Sequence, residues 1–167
     1  MVAQRIVAMA ETRGTTNLRQ AGITHRLLRY RYTGEGPVAV EAAAALGVDP
    51  ALLFKTLVVM AGSEPVFALV PADRELAPKL LAAAAGSKAA ELADRRTAER
   101  ITGYQAGGIS PLGSRRRMRV FVDRSAGDHP AILLNAGARG LIAEVATPPL
   151  LSHLGAVAVP LVRDEAR

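Results

Sequence analysis

The longest apolar stretch of this chain, residues 52–70, is interrupted by Lys55 and then by Gly62-Ser63-Glu64-Pro65. A membrane-spanning helix needs about 20 unbroken apolar residues. The stretch reads instead as two strands, 54–60 and 66–70, rich in Val, Leu and Phe and joined by a tight turn. The same punctuation recurs along the chain. Gly47, Gly86, Gly103 and Gly155 stop short helical patterns at 40–46, 78–86, 94–103 and 147–155. Asp94, Pro78 and Thr147-Pro148 mark three of the starts, and Asp49-Pro50 caps a further short turn. An additional helix starts at Thr15 or Thr16 and stops at Gly22, and strands are expected at 25–32, 118–123, 131–134, 141–145 and 156–162. Strands and long helices do not alternate strictly, which disfavours a doubly wound parallel sheet. The expected fold is α+β: a mixed, mostly antiparallel, curled sheet with peripheral helices.

A chain of 167 residues fits one domain with one sizeable core. Half of the residues are hydrophobic, but with only three Tyr, three Phe and no Trp the core must be built from Ala, Val, Leu and Ile. The absence of Cys excludes a disulfide scaffold, a thiolate nucleophile and Cys-ligated zinc. Residues 1–10 are mildly apolar but broken by Gln4 and Arg5, too short for a secretory core. Residues 1–14 read as a loosely held leader before a single domain at 15–167, and the protein is expected to be soluble and cytoplasmic, with no membrane partner. The net charge of +6 favours polyanions, because each Lys or Arg that meets a phosphate releases a counterion. An Arg-rich solvated surface would produce the same charge.

Chemistry concentrates at residues 103–113, where four Gly and one Pro occur in eleven positions. Such a segment builds poor regular structure but lets backbone N–H groups approach an anion closely, as an oxyanion formed from an ester carbonyl would require. An ordinary Gly-rich surface loop has the same composition, and no Gly-Lys-Ser/Thr follows to make a Walker loop. Lys55 heads an apolar strand, so its ammonium either snorkels to water or faces a polar cleft, where it would hold a phosphate or carbonyl oxygen. Arg115, Arg116 and Arg117 follow the loop directly, where a phosphate backbone could pass or a turn could simply be solvated. His25, His129 and His153 have no metal-ligand spacing. Ser110 is not in a Gly-x-Ser-x-Gly elbow, and no protein nucleophile is evident.

Taken together, Phe54-Lys55-Thr56-Leu57, Thr102-Gly103-Tyr104, the string from Gly107 through Gly108, Ile109, Ser110, Pro111 and Leu112 to Gly113, and the segment Asn135-Ala136-Gly137-Ala138-Arg139-Gly140-Leu141 with Glu144 resemble the YbaK/EbsC family. The resemblance runs from about residue 17 to residue 161. It implies a barrel-like fold of the prolyl-tRNA synthetase editing-domain type and deacylation of mischarged Cys-tRNA(Pro). It also implies no metal or organic cofactor, a tRNA substrate and prolyl-tRNA synthetase as a working partner. In that family's proposed reaction the substrate's own thiol attacks its ester carbonyl and leaves as a thiolactone, which agrees with the missing nucleophile.

By the same resemblance, Lys55 is the essential Lys and holds the terminal adenosine or a phosphate. Gly107 and Gly108 approach the carbonyl through their N–H groups, Tyr30 shapes the pocket, and Ser110 and Pro111 fix the loop. Thr56, Ile109, Asn135 and Gly137 complete the substrate-binding set, with Arg115, Arg116 and Arg117 toward the tRNA. Ile142 stands where some members carry Asp, and Asn135 where Ser is common. The departure at Ile142 leaves two alternatives: editing of Ala-tRNA(Pro) or another small amino acid, and a catalytically silent tRNA- or nucleotide-binding module.

Overall fold

The interrupted apolar stretch folds back on itself at Gly62-Ser63, and Gly62 takes the positive φ of 64° that the turn demands. In the computed structural model, which describes Arg5–Ile6 and residues 11–164, this hairpin consists of strands that pair over their full length, Phe54 opposite Pro71 and Ala61 opposite Glu64. In chain order the elements are β1 (Arg5–Ile6), α1 (Arg13–Gln20), β2 (His25–Arg29), α2 (Val38–Leu46), β3 (Phe54–Ala61), β4 (Glu64–Pro71), α3 (Pro78–Ala85), β5 (Ala90–Leu92), α4 (Arg95–Thr102), β6 (Val120–Asp123), β7 (Ala131–Asn135), β8 (Leu141–Ala146), α5 (Thr147–Leu154) and β9 (Val157–Val159). One turn of 3₁₀ helix, Arg124–Asp128, separates β6 from β7.

The strands form two sheets, ordered β1-β2-β8-β7 and β5-β3-β4-β6-β9. All pairs are antiparallel except β4–β6 and β6–β9, so the sheet is mixed and mostly antiparallel, as expected. The sheets meet at a parallel bridge between Leu53 and Leu133, where the Leu133 N–H donates to Leu52 O at 2.9 Å. The described strands do not close into a barrel, and the largest of three buried apolar clusters forms the main core. That core contains Phe54, Phe67, Leu69, Leu112, Ile132, Leu134 and Leu141, each at most 1% exposed. Emptying any one of these positions to Ala costs about 2–5 kcal/mol, because close-packed neighbours collapse only partly into the space. No helix among the described residues is long and apolar enough to cross a membrane.

Helix ends follow the local chemistry. Gly47, Gly86, Gly103 and Gly155 all sit at C-caps with φ between 60° and 77°. Asp94 caps α4 by accepting from the Thr97 N–H at 2.8 Å. α1 begins earlier than Thr15. The Thr12 hydroxyl accepts from the Thr15 N–H at 3.0 Å, and the Thr15 hydroxyl accepts in return from the Thr12 N–H at 2.9 Å. That reciprocal box satisfies two orphan donors, which a start at Thr15 would leave open. Arg5–Ile6 pairs with β2, while residues 1–4 and 7–10 of the expected leader lie outside the described residues.

Candidate active site

Several segments distant in sequence line a cleft of about 400 Å³. The N-terminal half of α2 supplies one wall through Val38, Ala39 and Ala42. The start of β3 supplies Lys55 and Thr56, and the Gly-rich loop supplies Ala106, Gly107 and Ile109. Tyr30, Asn135 and Ile142 line it from the other sheet. Lys55, Thr56, Tyr30, Gly107, Ile109 and Asn135, all singled out in the sequence, therefore share one cavity.

Lys55 lies opposite Val70 in the hairpin and its side chain is 20% exposed. Of its two readings in the sequence, the cleft is where it stands. Its Nζ is 3.6 Å from Oε1 of Glu75, whose side chain is 96% exposed. With Glu75 so open to solvent the pair is weak, and an anion reaching Lys55 would meet little competition from it. Tyr30 and Thr56 carry buried hydroxyls with no hydrogen-bond partner among the described residues. Burial, and then the nearby charge of Glu41, push the Tyr30 hydroxyl up to about 12, only partly offset by the backbone of Gly140. It is therefore a neutral donor at physiological pH. Glu41 itself reaches back from α2 to accept from the Thr33 N–H and hydroxyl at 2.7 and 2.8 Å, fixing the turn beside the cleft.

The Gly-rich loop is held from four directions. Asn135 donates from Nδ2 to Gly107 O (3.2 Å) and Ala138 O (3.1 Å), and its Oδ1 accepts from Gly137 N–H (2.7 Å) and Ala138 N–H (3.2 Å). Arg139 donates from Nε to Ala106 O at 2.8 Å while its guanidinium lies 5.2 Å over the Tyr32 ring. Glu99 Oε1 accepts from Ala106 N–H at 2.9 Å. That N–H, and then Arg95 and Arg139, hold the Glu99 carboxyl below the usual carboxylate range against desolvation. Tyr104 donates its hydroxyl to Leu112 O at 2.6 Å. The loops are so close that a Cβ on Gly108 would stand 2.8 Å from the Arg139 backbone nitrogen, and one on Gly137 2.7 Å from the Tyr104 ring.

Other expected site residues fall elsewhere. Of the two N–H groups expected at a substrate carbonyl, that of Gly107 has no partner among the described residues, while that of Gly108 donates to Gln105 O at 2.9 Å within the loop. Ser110 is fully buried and its hydroxyl accepts from Leu112 N–H at 3.1 Å, so it fixes the loop and presents no nucleophile. Gly137 lies behind the cleft under Tyr104. Pro111, Arg116 and Arg117 line a second concavity, and Arg115 is exposed, its backbone N–H donating to Thr102 O. Sequence reading assigned no role to Glu75, Glu99 or Arg139. The only signal for Arg139 was its place inside the Asn135–Leu141 segment; for the two Glu there was none. Among the described residues no three His, Asp or Glu side chains gather as a metal site.

An apolar cleft lined by one cation, two carboxylates and a backbone N–H without a partner among the described residues is of the kind that can position a substrate and stabilise negative charge. Residues 34–152 match the aminoacyl-tRNA editing domain, and the chain belongs to that family. EbsC of Enterococcus faecalis, whose proposed activity is deacylation of Cys-tRNA(Pro) and Cys-tRNA(Cys), is 31% identical over 151 residues, covering 87% of this chain and 92% of EbsC. The proline–tRNA ligase of Nitratidesulfovibrio vulgaris is 42% identical over 83 residues, half of this chain and 14% of that enzyme. Among solved structures, a hypothetical protein superposes with a TM-score of 0.82 at 25% identity over 91% of this chain and all of the other. A proposed trans-editing enzyme for prolyl-tRNA synthetase shares the fold, with a TM-score of 0.80 at 19% identity over 93% of this chain and all of that one.

Proposed function

We propose that this chain is a single-domain, trans-acting editing enzyme that clears Cys-tRNA(Pro) beside prolyl-tRNA synthetase in the cytoplasm, without metal or organic cofactor. The observation that carries this reading is that Lys55 and Gly107, whose N–H has no partner among the described residues, line one largely apolar cleft. Lys55 holds the terminal nucleotide's phosphate or adenosine, and the acyl group lies against Ala39, Ala42 and Ile142. As the ester carbonyl becomes tetrahedral, Gly107 N–H donates to the developing oxyanion, an interaction worth on the order of 10²–10³ in rate. The substrate thiol supplies the nucleophile: the S–C bond forms, the C–O ester bond breaks, and the 3′ oxygen of the tRNA takes the proton. Thr56 and Ile109 confine the side chain so that sulfur and carbonyl stay in reach of one another. Similarity to EbsC over most of both chains supports the choice of amino acid and of tRNA.

The test is release of labelled Cys from Cys-tRNA(Pro), with Ala-tRNA(Pro), a Ser-charged control and the Lys55→Ala protein in parallel. Fast loss of Cys, abolished by Lys55→Ala and absent with Ser, is the expected result. Equal activity in the Lys55→Ala protein would refute the site. Cleavage of Ser or Ala esters at the Cys rate would refute thiol assistance and point to the small-amino-acid alternative. Salt-sensitive tRNA binding without turnover would leave the binding-module alternative.

A further inference from the structure

Where the Gly-rich loop meets the cleft it makes a reverse turn over Gln105, Ala106, Gly107 and Gly108, closed by the Gly108 N–H donating to Gln105 O at 2.9 Å. Gly107 has a φ of 90°, and no residue other than Gly has a positive φ among the described residues. A negative φ at the second position of a closed turn with a positive φ at the third defines type II. Types I and II differ by about half a turn of the central peptide, here the one joining Ala106 to Gly107. Gly107 has no Cβ and accepts either form, so the loop's own composition does not decide which way that peptide faces.

Contacts from outside the turn decide it. Arg139 Nε donates to Ala106 O at 2.8 Å, a hydrogen bond strengthened by the charge on its donor. The guanidinium is itself held 5.2 Å over the Tyr32 ring, and that ring occupies the space beside Gly107, where a Cβ would stand 2.9 Å from the Tyr32 hydroxyl oxygen. On the other side of Ala106, its N–H donates to Glu99 Oε1 at 2.9 Å, so the residue is gripped at both ends. Ala106 O and the Gly107 N–H belong to one planar trans peptide and point in opposite directions. To hold the oxygen is therefore to aim the N–H, and a cation drawing on the oxygen makes that N–H a stronger donor.

We infer that Arg139 is a positioning residue for ester cleavage: it locks the turn as type II and so sets the direction of the Gly107 N–H. In the type I form the same peptide would present the Ala106 carbonyl oxygen in place of the N–H, and an oxyanion would be repelled instead of stabilised. That this N–H serves a substrate carbonyl rests on the proposed function; the turn and its anchor do not.

The experiment is nuclear magnetic resonance of the isotopically labelled full chain, with deacylation of Cys-tRNA(Pro) measured on the same proteins: wild type, Arg139→Ala and Arg139→Gln. The Arg139 side chain is exposed, so neither variant leaves a hole in the core. A type II turn brings the Ala106 α-proton close to the Gly107 amide proton, whereas type I brings the amide protons of Ala106 and Gly107 together. Wild type should show the first contact alone. Arg139→Ala should show the second as well, with kcat lower by about 10²-fold and KM little changed, because the donor acts only in the transition state. Arg139→Gln keeps a neutral donor and should recover part of both effects. An unchanged turn in Arg139→Ala would overturn the proposal, and so would an unchanged kcat. A raised KM at wild-type kcat would also overturn it, since that marks an Arg that merely holds the substrate's phosphates. If the turn responds as expected but wild type cleaves no aminoacyl ester, the proposed function fails while the orienting role of Arg139 stands.

Discussion

Replacing Asn135 separates the support of the Gly-rich loop from the chemistry it is thought to perform. This side chain makes four hydrogen bonds, two as donor and two as acceptor, between the Gly107 end of one loop and the Gly137-Ala138 turn of the other. Each is worth about 0.5–1.5 kcal/mol net of the water it replaces. Asn135 is only half-buried, so water re-satisfies part of what Ala would abandon, and the lower half of the summed range applies. Asn135→Ala should therefore destabilise the fold by about 2–4 kcal/mol, read from urea unfolding at pH 7. Asn135→Asp distinguishes the two halves of the network. It keeps the acceptor for Gly137 and Ala138 but points a carboxylate oxygen at the carbonyls of Gly107 and Ala138.

The introduced carboxylate loses two donated bonds and adds repulsion, so its pKa in the folded state should lie above the unfolded value near 4. A raised folded pKa means the penalty is absent at low pH and grows as pH rises through that pKa. Measured as a difference from wild type at each pH, Asn135→Asp should match or exceed the loss of Asn135→Ala at pH 7 and recover toward pH 4. Since the Gly107 carbonyl is tethered by Asn135, both variants should also lose about 10–100-fold in kcat for deacylation as the Gly107 N–H drifts from the oxyanion. Unfolding within about 0.5 kcal/mol of wild type, together with activity within twofold, would refute the clamp. Equal losses for the two variants with no pH dependence between them would refute the donor half of it.

Gly108→Ala should lower kcat/KM by tenfold or more while secondary structure is retained in circular dichroism, because its Cβ would meet backbone atoms of Ala138 and Arg139 at 2.8–3.1 Å and neither loop can yield locally. Glu75→Gln should lower KM for the aminoacyl-tRNA by no more than about fivefold and leave kcat unchanged, since it removes an exposed competitor for Lys55; a raised KM would mean that Glu75 orients the ammonium instead. In alkaline unfolding, wild type should lose stability between pH 10 and 12, where the unfolded chain ionises Tyr30 and the folded chain, with that hydroxyl held up to about 12, does not. Tyr30→Phe should remove part of this slope, with Tyr104, also raised by burial, supplying the rest.

What was legible in the sequence is what local chemistry dictates. Glycines at left-handed C-caps, Asp94 at an N-cap and the Gly62-Ser63 turn each act within four residues of themselves, so α2 to α5 and the β3–β4 hairpin were bounded nearly correctly. β5 is a three-residue edge strand with half-exposed Leu92, defined only by pairing with β3, and nothing in Ala-Glu-Leu announces a partner. β1 likewise exists through its partner β2. The same division runs through the site. Lys55 and the Gly-rich loop are visible because their residue types are out of place where they stand. Asn135 reaches Gly107 across 28 positions and Arg139 reaches Ala106 across 33, contacts that no spacing rule encodes. The Arg run was seen, but its side of the loop was not, because Gly113 turns the chain at φ 67° and sends it under α1.

Ile142 shows how one substitution in such a cleft redirects the argument about selectivity. It pairs with Leu28 and with Asn135 in the sheet and is 2% exposed, so it forms part of the cleft floor. A carboxylate at this place would be desolvated and would need a cation or several donors to stay ionised. Asn135, the polar side chain directly across the sheet, already uses its amide in the loop clamp. With Ile there, the charged groups of the cleft are confined to Lys55, Asp73 and Glu75. In the proposed function such a floor would discriminate acyl groups by volume. A hydrophobic pocket separates side chains that differ by one methylene by only about 10–200-fold. Under the proposed function, high selectivity for Cys over Ala would come from the substrate thiol's own reactivity, which is why the Ser-charged control bears on mechanism and specificity together.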